Sequence, residues 1–375
     1  GEHSGHTESE EQLDTYRAAR PPQSFKYYIA IFHKSNSMKG MRDYAAACKF
    51  PKMMMGGVVV PRLILGHLPF VGESYQGPER NKEYATRFSD MRNSIQILRL
   101  SVEAYGLTVA AAGMMGSEEG LGGLYLKAIK EVERIAEVEI ALIPCVQIPL
   151  SIGRRPVDAY RRWITYYEIE KRTTDELARR YLQDPILECR AGWDMQFKEA
   201  LRIYKPYGRD EIRDLQIDMA EIDGAISNLS DFKVLFLELG SETDFLTMTG
   251  RVDLLGSLVD HIRGDLGHRV LLGTHHAGST IPLLEGSSVK FEGYVTPVNK
   301  LGIMMFPTMD GALVALRGSG RPIIAIKPLA GGRIRPREAL EYVYGDLGMD
   351  FCMVGVGSEG EAVEDFTIAS EILRG

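Results

Sequence analysis

Eight short apolar runs, each followed by a stretch with helical spacing, constrain the fold of this chain more than any other feature. Several runs are apolar throughout, as expected of strands that are buried on both faces of a parallel sheet. A doubly wound sheet is the alternative, but the first run lacks the Gly-x-Gly-x-x-Gly sequence typical of that fold. We therefore predict an α/β fold, a (β/α)8 barrel. Its predicted strands are 62–67, 107–112, 139–147, 233–239, 269–274, 293–298, 322–326 and 350–356.

The segment at about 150–230 interrupts this alternation after the third strand. Its apolar residues recur at intervals of three and four, which predicts helices, and it contains Tyr160, Trp163 and Trp193. Aromatic residues of this kind suit either a lid over a site or a subunit interface. A homo-oligomer formed through this helical insertion is therefore one expectation.

The N-terminal residues are predicted to lie outside the barrel wall. Residues 1–25 are charged and then contain two adjacent prolines, which predicts a flexible tail, and residues 26–375 are predicted to form a single domain. Residues 26–32 and 53–60 are rich in apolar residues and strand-like, so we expect them to pair as a hairpin across the bottom of the barrel.

Composition excludes several classes of partner. The net charge of −7 leaves no excess of Lys and Arg to neutralise phosphates, so a nucleic acid is not expected. No apolar run reaches the roughly 20 residues of a membrane-spanning helix. The four cysteines are far apart in the chain, which predicts free thiols in the cytoplasm rather than disulfides. These features leave a small-molecule substrate as the expected partner.

The C-terminal ends of the strands supply the active site of a parallel barrel, so the residues there are candidates for catalysis. Three histidines lie at two predicted strand ends: His67, His275 and His276. Two imidazoles and a carboxylate can hold a divalent metal ion with positions left open for a substrate. We therefore predict that His67, Glu238 and His275 bind Zn²⁺, Mn²⁺ or Fe²⁺. The competing interpretation is that these histidines are hydrogen-bonded loop residues.

Lys327 directly follows a run of apolar residues, which predicts that its ammonium group reaches the mouth of the barrel. Desolvation there would lower its pKa and make it a nucleophile for a Schiff base, or a general acid or base. The alternative is an ion pair between Lys327 and Glu238 that only satisfies charge. The predicted catalytic residues are Lys327, Glu238, His276 and Glu73.

Glycine-rich sequences follow the last two strands, where many barrels bind phosphate on backbone N–H groups. We predict that these sequences bind an anionic group of the substrate; simple tight turns are the alternative explanation for the glycines. The predicted substrate-binding residues are Arg333, Gly331, Gly332, Gly357, Ser358, Asn299 and Gln147.

From about residue 269 onward, the sequence resembles the aldo-keto reductase barrel. The resemblance rests on Gly273-Thr274-His275, Val298-Asn299, Pro328-Leu329-Ala330-Gly331-Gly332 and residues 355–363. It implies the barrel scaffold, and it makes NADP a cofactor to consider. The family's catalytic Asp, Tyr, Lys and His have no counterparts here, because the second, third and fourth strands end in residues 110–115, 144–147 and Glu238.

Together these observations predict a metal-dependent barrel enzyme, a lyase, isomerase or hydrolase, that acts on a small oxygenated and anionic substrate. Three alternatives remain open. They are a Schiff-base aldolase that uses Lys327, an NADP-binding protein of the aldo-keto reductase type without its tetrad, and a barrel that acts through its insertion without catalysis.

Overall fold

The computed structural model describes residues 50–113 and 120–375. The predicted tail at 1–25 and the strand-like residues 26–32 lie outside these ranges. In chain order the strands are β1 (Lys52–Met55), β2 (Val58–Pro61), β3 (Leu63–Gly66), β4 (Val109–Ala112), β5 (Ala141–Val146), β6 (Leu150–Ile152), β7 (Arg155–Pro156), β8 (Leu215–Ile217), β9 (Leu237–Leu239), β10 (Val270–Gly273), β11 (Gly293–Pro297), β12 (Ile323–Ile326) and β13 (Phe351–Gly355).

The helices surround these strands or belong to the insertion. They are α1 (Pro78–Phe88), α2 (Met91–Tyr105), α3 (Leu121–Ala136), α4 (Ala159–Glu170), α5 (Leu177–Leu182), α6 (Trp193–Ile203), α7 (Arg209–Arg213), α8 (Met219–Ser227), α9 (Glu242–Met248), α10 (Val252–Gly264), α11 (Ala277–Glu285), α12 (Met309–Gly318), α13 (Pro336–Leu340) and α14 (Glu359–Arg374). Across the two described ranges, every helix is too short or too polar to cross a bilayer.

Eight strands close into a parallel barrel in the order β3-β4-β5-β9-β10-β11-β12-β13, and β13 pairs back to β3. Each of them coincides with one of the eight predicted apolar runs. In β3, Ile64 belongs to the interior cluster, whereas Leu63 and Leu65 pack with the surrounding helices. Both faces of the strand are therefore buried, which explains why the run is apolar throughout. The prediction of a (β/α)8 barrel is confirmed.

A hairpin of β1 and β2 closes the N-terminal end of the barrel. Its turn is made by Gly56 and Gly57, which both have positive φ angles, at 53° and 80°, as a two-residue hairpin turn requires. Met55 and Val60 are buried against the interior cluster. The glycine pair allows the chain to reverse within Lys52–Pro61, where β1 pairs with β2. The pairing predicted between residues 53–60 and 26–32 involves residues outside the described ranges.

The insertion after β5 is held together by its own small sheet. Strand β6 pairs antiparallel with both β7 and β8, and helices α4 to α7 lie between β7 and β8 in sequence. The helical insertion predicted after the third barrel strand is confirmed. The three-stranded sheet was not predicted, because its strands have only two or three residues.

Candidate active site

A cavity of about 1220 Å³ opens at the C-terminal ends of the barrel strands. Every barrel strand contributes residues to its wall, so the strand-end argument located it correctly. The predicted site residues that line it are His67, Glu73, Gln147, Glu238, His275, Lys327, Gly331, Gly332 and Arg333. The predicted site residues that do not line it are His276, Asn299, Gly357 and Ser358.

Lys327 follows β12 in an unusual backbone conformation. Its φ angle is 56°, in the left-handed region that side chains other than glycine rarely adopt. Its ammonium nitrogen lies 4.8 Å from the centre of the Tyr75 ring, and Tyr75 also has a positive φ angle, of 58°. Strained residues of this kind concentrate at functional sites. Within the described residues, no carboxylate lies at ion-pairing distance from the Lys327 ammonium group, so the simple ion pair with Glu238 is absent.

Glu238 lies on β9, directly opposite Cys145 of β5. Burial raises the pKa of Glu238 to about 7, although the positive charge of Lys327 and a hydrogen bond with Cys145 favour the ionised form. Burial and the nearby carboxylates of Glu238 and Glu242 raise the pKa of the Cys145 thiol well above its ordinary value. At neutral pH, this part of the cavity therefore holds a neutral thiol and a carboxyl group that can either donate or accept a proton.

The two histidines of the cavity are neutral bases. Burial, assisted by the positive charge of Lys327, lowers the pKa of His67 to about 4. Burial and Lys327 also hold the pKa of His275 well below its ordinary value. A neutral imidazole has one donor and one acceptor nitrogen, so both rings can form hydrogen bonds with a polar substrate. Because the rings are uncharged, they do not repel a charged substrate.

The predicted metal set is not formed. His67, Glu238 and His275 line one cavity, but no group of three or more His, Cys, Asp or Glu side chains in the described parts of the chain has an arrangement that could hold a metal ion. The prediction failed because strand ends fix which cavity a residue faces, whereas metal binding also requires side chains to converge within a few ångströms.

His276 lies behind the cavity wall, beneath the insertion. Its Nδ1 is 3.3 Å from Asp244 Oδ2, and its Nε2 is 3.6 Å from Glu170 Oε2 and 3.1 Å from the Tyr181 hydroxyl. Burial opposes a charge on the ring, but Glu170 and Asp244 together raise the pKa of His276. The residue predicted to be catalytic is thus enclosed by carboxylates, because the chain turns away from the cavity immediately after His275.

Asp244 organises the turn that separates these two histidines. Its carboxylate accepts hydrogen bonds from the backbone N–H groups of His275, at 2.9 Å, and His276, at 3.3 Å. It also accepts hydrogen bonds from the hydroxyls of Thr274 and Thr280. Asp244 therefore holds the backbone in the form that directs His275 towards the cavity.

The predicted anion site after β13 is already occupied by a side chain. The Gly357 N–H donates to Glu361 Oε2 at 2.7 Å, and the Ser358 hydroxyl accepts from the Glu361 N–H at 3.1 Å. Glu361 also pairs with Arg80 at 3.1 Å. Glu361, Glu364 and Asp365 line this end of the cavity, and the Glu361 carboxylate would repel a phosphate. This helix terminus does not fit a phosphate of NADP.

The glycine-rich turn after β12 is covered as well. The Arg333 side chain donates to the carbonyl oxygens of Tyr75 and Ala330, both at 2.9 Å, so its charge is directed at the backbone. A Cβ on Gly331 would lie 2.8 Å from the Tyr75 carbonyl oxygen, so only glycine permits this contact. The turn serves to pack the loop after β3 against the loop after β12.

The side chain of Asn299 also makes structural contacts rather than facing a ligand. It is fully buried, and both polar atoms of its side chain bind the backbone of Ile303, at 2.9 and 3.0 Å. This amide binds the backbone of a neighbouring loop, and Asn299 is not one of the residues that line the cavity.

Sequence reasoning missed several residues around the cavity. The Ser358-x-x-Glu361 spacing is a capping-box pattern, and it could have indicated that Glu361 occupies the first turn of α14. Asp244 and Glu170, which enclose His276 behind the cavity wall, gave no such signal, because their partners lie on other elements of the chain.

No protein-family model matches this chain, and none of the curated proteins searched is similar to it. Among solved structures, a protein of Pseudomonas aeruginosa assigned as an aldo-keto reductase is similar at 13% identity, over 86% of this chain and 95% of that chain, with a TM-score of 0.50. An aldo-keto reductase of Bombyx mori, solved in complex with NADP, has 10% identity, over 87% of this chain and 92% of that chain, with a TM-score of 0.41. The first similarity shows a shared barrel fold, as the sequence resemblance implied.

Proposed function

We propose that the protein is an enzyme that acts on the carbonyl group of a small oxygenated substrate. Lys327 holds the carbonyl oxygen, and Glu238 exchanges the proton. One observation carries the proposal: Lys327 and Glu238 line the same cavity, and the pKa of Glu238 is raised to about 7. A group with this pKa is half protonated at neutral pH, which is the condition under which general acid–base catalysis is most efficient.

The charges of the cavity support this assignment of roles. The Lys327 ammonium group has no carboxylate at ion-pairing distance in the described structure, and its nearest aromatic contact is Tyr75. A fixed cation in a partly enclosed site stabilises the oxyanion that develops when a carbonyl carbon is attacked. The neutral rings of His67 and His275 can orient the other oxygen atoms of the substrate.

Oxidoreduction is the reaction class that the shared barrel favours. The cavity of about 1220 Å³ also exceeds the volume of about 300–1000 Å³ common for small-molecule sites, which leaves room for a second ligand. The described first turn of α14 does not fit a phosphate, however, so we derive no step through NADP. A reductase of this kind would require a different arrangement of Glu361.

Schiff-base chemistry is the second candidate, and the unpaired ammonium group of Lys327 favours it. Ionised Glu238 would first accept a proton from the Lys327 ammonium group, and the neutral amine would add to the carbonyl carbon to form a carbinolamine as a second proton moves from nitrogen to oxygen. Glu238, now protonated, would donate its proton to the hydroxyl, which leaves as water when the iminium forms. The ammonium proton that Glu238 accepts thus leaves in the water molecule.

The test is an assay of the purified protein against a panel of aldehydes and oxo acids. NADH and NADPH consumption is followed by absorbance, and borohydride trapping at Lys327 is followed by mass spectrometry. Reduction that depends on Lys327 and Glu238 would support an oxidoreductase, and a trapped adduct would support the imine. Turnover that is equal in the wild type, Lys327→Met and Glu238→Gln would refute the proposal. Lys82→Met, on the exposed surface of α1, is the matched control.

A further inference from the structure

The ammonium group of Lys327 contacts an aromatic ring rather than a carboxylate. Its nitrogen lies 4.8 Å from the centre of the Tyr75 ring, within the range of a cation–π contact. Both side chains line the cavity and are partly buried. Within residues 50–113 and 120–375, the ammonium group forms no ion pair and no hydrogen bond, so the contact with the ring is what restrains it.

The backbone around Tyr75 fixes the position of the ring independently of Lys327. Just before it, the Ser74 N–H and the Ser74 hydroxyl both donate to Asn81 Oδ1, at 2.8 and 2.6 Å. The carbonyl oxygen of Tyr75 itself accepts a hydrogen bond from the Arg333 side chain at 2.9 Å. None of these contacts involves Lys327, so the ring is a preorganised support for the ammonium group.

Lys327 needs such a support because the turn after β12 fixes only its backbone. Its φ angle is 56°, and its carbonyl oxygen accepts a hydrogen bond from the Ala330 N–H at 3.0 Å. The ammonium group stands at the end of a flexible four-carbon chain that can adopt many rotamers. A cation that stabilises a developing oxyanion must already be in position when the carbonyl carbon is attacked. The contact with the ring provides that position.

An aromatic ring also differs from a carboxylate in its effect on the charge. A carboxylate at ion-pairing distance would neutralise the ammonium group and compete with the substrate oxygen for its N–H donors. The face of a tyrosine ring attracts a cation through its quadrupole and carries no net charge. The full positive charge of Lys327 therefore remains available to a substrate, at the position that the ring determines.

We propose that Tyr75 is a positioning residue, whose ring holds the Lys327 ammonium group where the carbonyl oxygen of the substrate binds. The inference rests on the proposed function and explains how a flexible lysine can serve there without a carboxylate partner. Tyr75 acts through Lys327 and takes no part in proton transfer. With the best carbonyl substrate, Tyr75→Leu should lower kcat by about three- to thirtyfold, the range of one cation–π contact, and Tyr75→Phe should restore most of the activity.

The position of the ammonium group can be measured without turnover. Burial and the charge of Lys327 lower the pKa of His67 to about 4, and the NMR signals of this histidine give that pKa in each variant. Lys327→Met provides the value in the absence of the charge. Tyr75→Leu should raise the pKa of His67 towards that value, because the ammonium group is released, whereas Tyr75→Phe should leave it at about 4.

Water that enters the space of the ring would raise the same pKa, so Tyr75→Leu is also made in the Lys327→Met background, where we expect no further rise. An equal rise in both backgrounds, no rise in either, or an equal rise in Tyr75→Phe would overturn the inference. Tyr204→Leu, at an exposed tyrosine of the insertion, is the matched control. Tyr75→Met replaces the leucine variant if that variant loses native circular dichroism. The titration requires no catalysis, so it can support the contact between Tyr75 and Lys327 even if Lys327→Met and Glu238→Gln refute the proposed reaction.

Discussion

The turn after β10 places one histidine in the cavity and the next in the interface beneath the insertion. These two environments shift the pKa of the histidine in opposite directions. His275 faces the cavity, where burial and the charges of Lys327 and Arg190 keep its pKa well below the ordinary value. His276 is buried beside Glu170 and Asp244, whose carboxylates raise its pKa. The pKa values of adjacent histidines are thus shifted in opposite directions, because their surroundings carry opposite charges.

This difference distinguishes a binding region from a structural one. In the cavity, the Lys327 ammonium group has no carboxylate at ion-pairing distance within the described structure, so an anionic ligand can complete it. In the interface, the His276 ring already has the carboxylates of Glu170 and Asp244 as partners. We expect changes in the cavity to affect chemistry, and changes in the interface to affect stability.

The largest effect is expected from Lys327→Met in the cavity. Loss of the fixed cation should lower kcat/KM on the best carbonyl substrate by on the order of a thousandfold, because the developing oxyanion loses its stabilising charge. The melting temperature should not fall, since the described structure gives Lys327 no ion pair to lose. Steady-state kinetics and thermal melting measure the two quantities. A loss of stability that parallels the loss of activity would show that Lys327 has a structural role instead.

Asp244→Asn should have the largest effect on the interface. The substitution leaves His276 beside a neutral amide, and removing one partner of a buried charge pair costs about 3 kcal/mol or more. Urea denaturation measures the free energy of unfolding. His275→Ala is the matched control, and it should change that free energy by less than about 1 kcal/mol, because the ring borders open space. Similar losses in the two variants would remove the distinction between the regions.

Glu238→Gln should produce a smaller change that depends on pH. The folded-state pKa of about 7 lies above the ordinary value of 4.5, so the folded protein binds more protons than the unfolded chain between these values. Stability from this group is therefore present below pH 4.5 and is lost as the pH rises through 7. Glutamine cannot ionise, so the variant should be more stable than the wild type at pH 8, by about 2 kcal/mol.

The same variant sharpens the proposed role of the carboxyl group. If Glu238 transfers the proton, the wild-type pH–rate profile should have an inflection near its pKa of about 7, and Glu238→Gln should lack it. Denaturation curves and rates at several pH values make the comparison. An unchanged inflection in the variant would assign the titration to another group.

The sequence predicted the barrel because continuous burial leaves a local signature, a run of apolar residues at each strand. It also predicted that His67, Glu238, His275 and Lys327 meet at one cavity, since the ends of parallel strands converge. It did not separate His275 from His276, because the carboxylate of Asp244 that fixes the turn lies some thirty residues earlier in the chain.

Local sequence patterns also did not predict which groups bind the glycine-rich loops. Gly357 and Gly331 were predicted to receive an anion, but Glu361 and the Tyr75 carbonyl oxygen already occupy the space beside them. A sequence shows that a backbone can be approached closely, and only the packed structure shows which group approaches it.

The backbone conformation of Lys327 has a consequence for how this protein can be engineered or can evolve. Left-handed geometry costs a lysine about 1 kcal/mol, which glycine would largely avoid. A library sorted for heat resistance alone would therefore accumulate glycine at this turn and lose the ammonium group. Directed evolution of a more stable variant must therefore select for turnover in every round. Otherwise the selected variants will be stable but inactive.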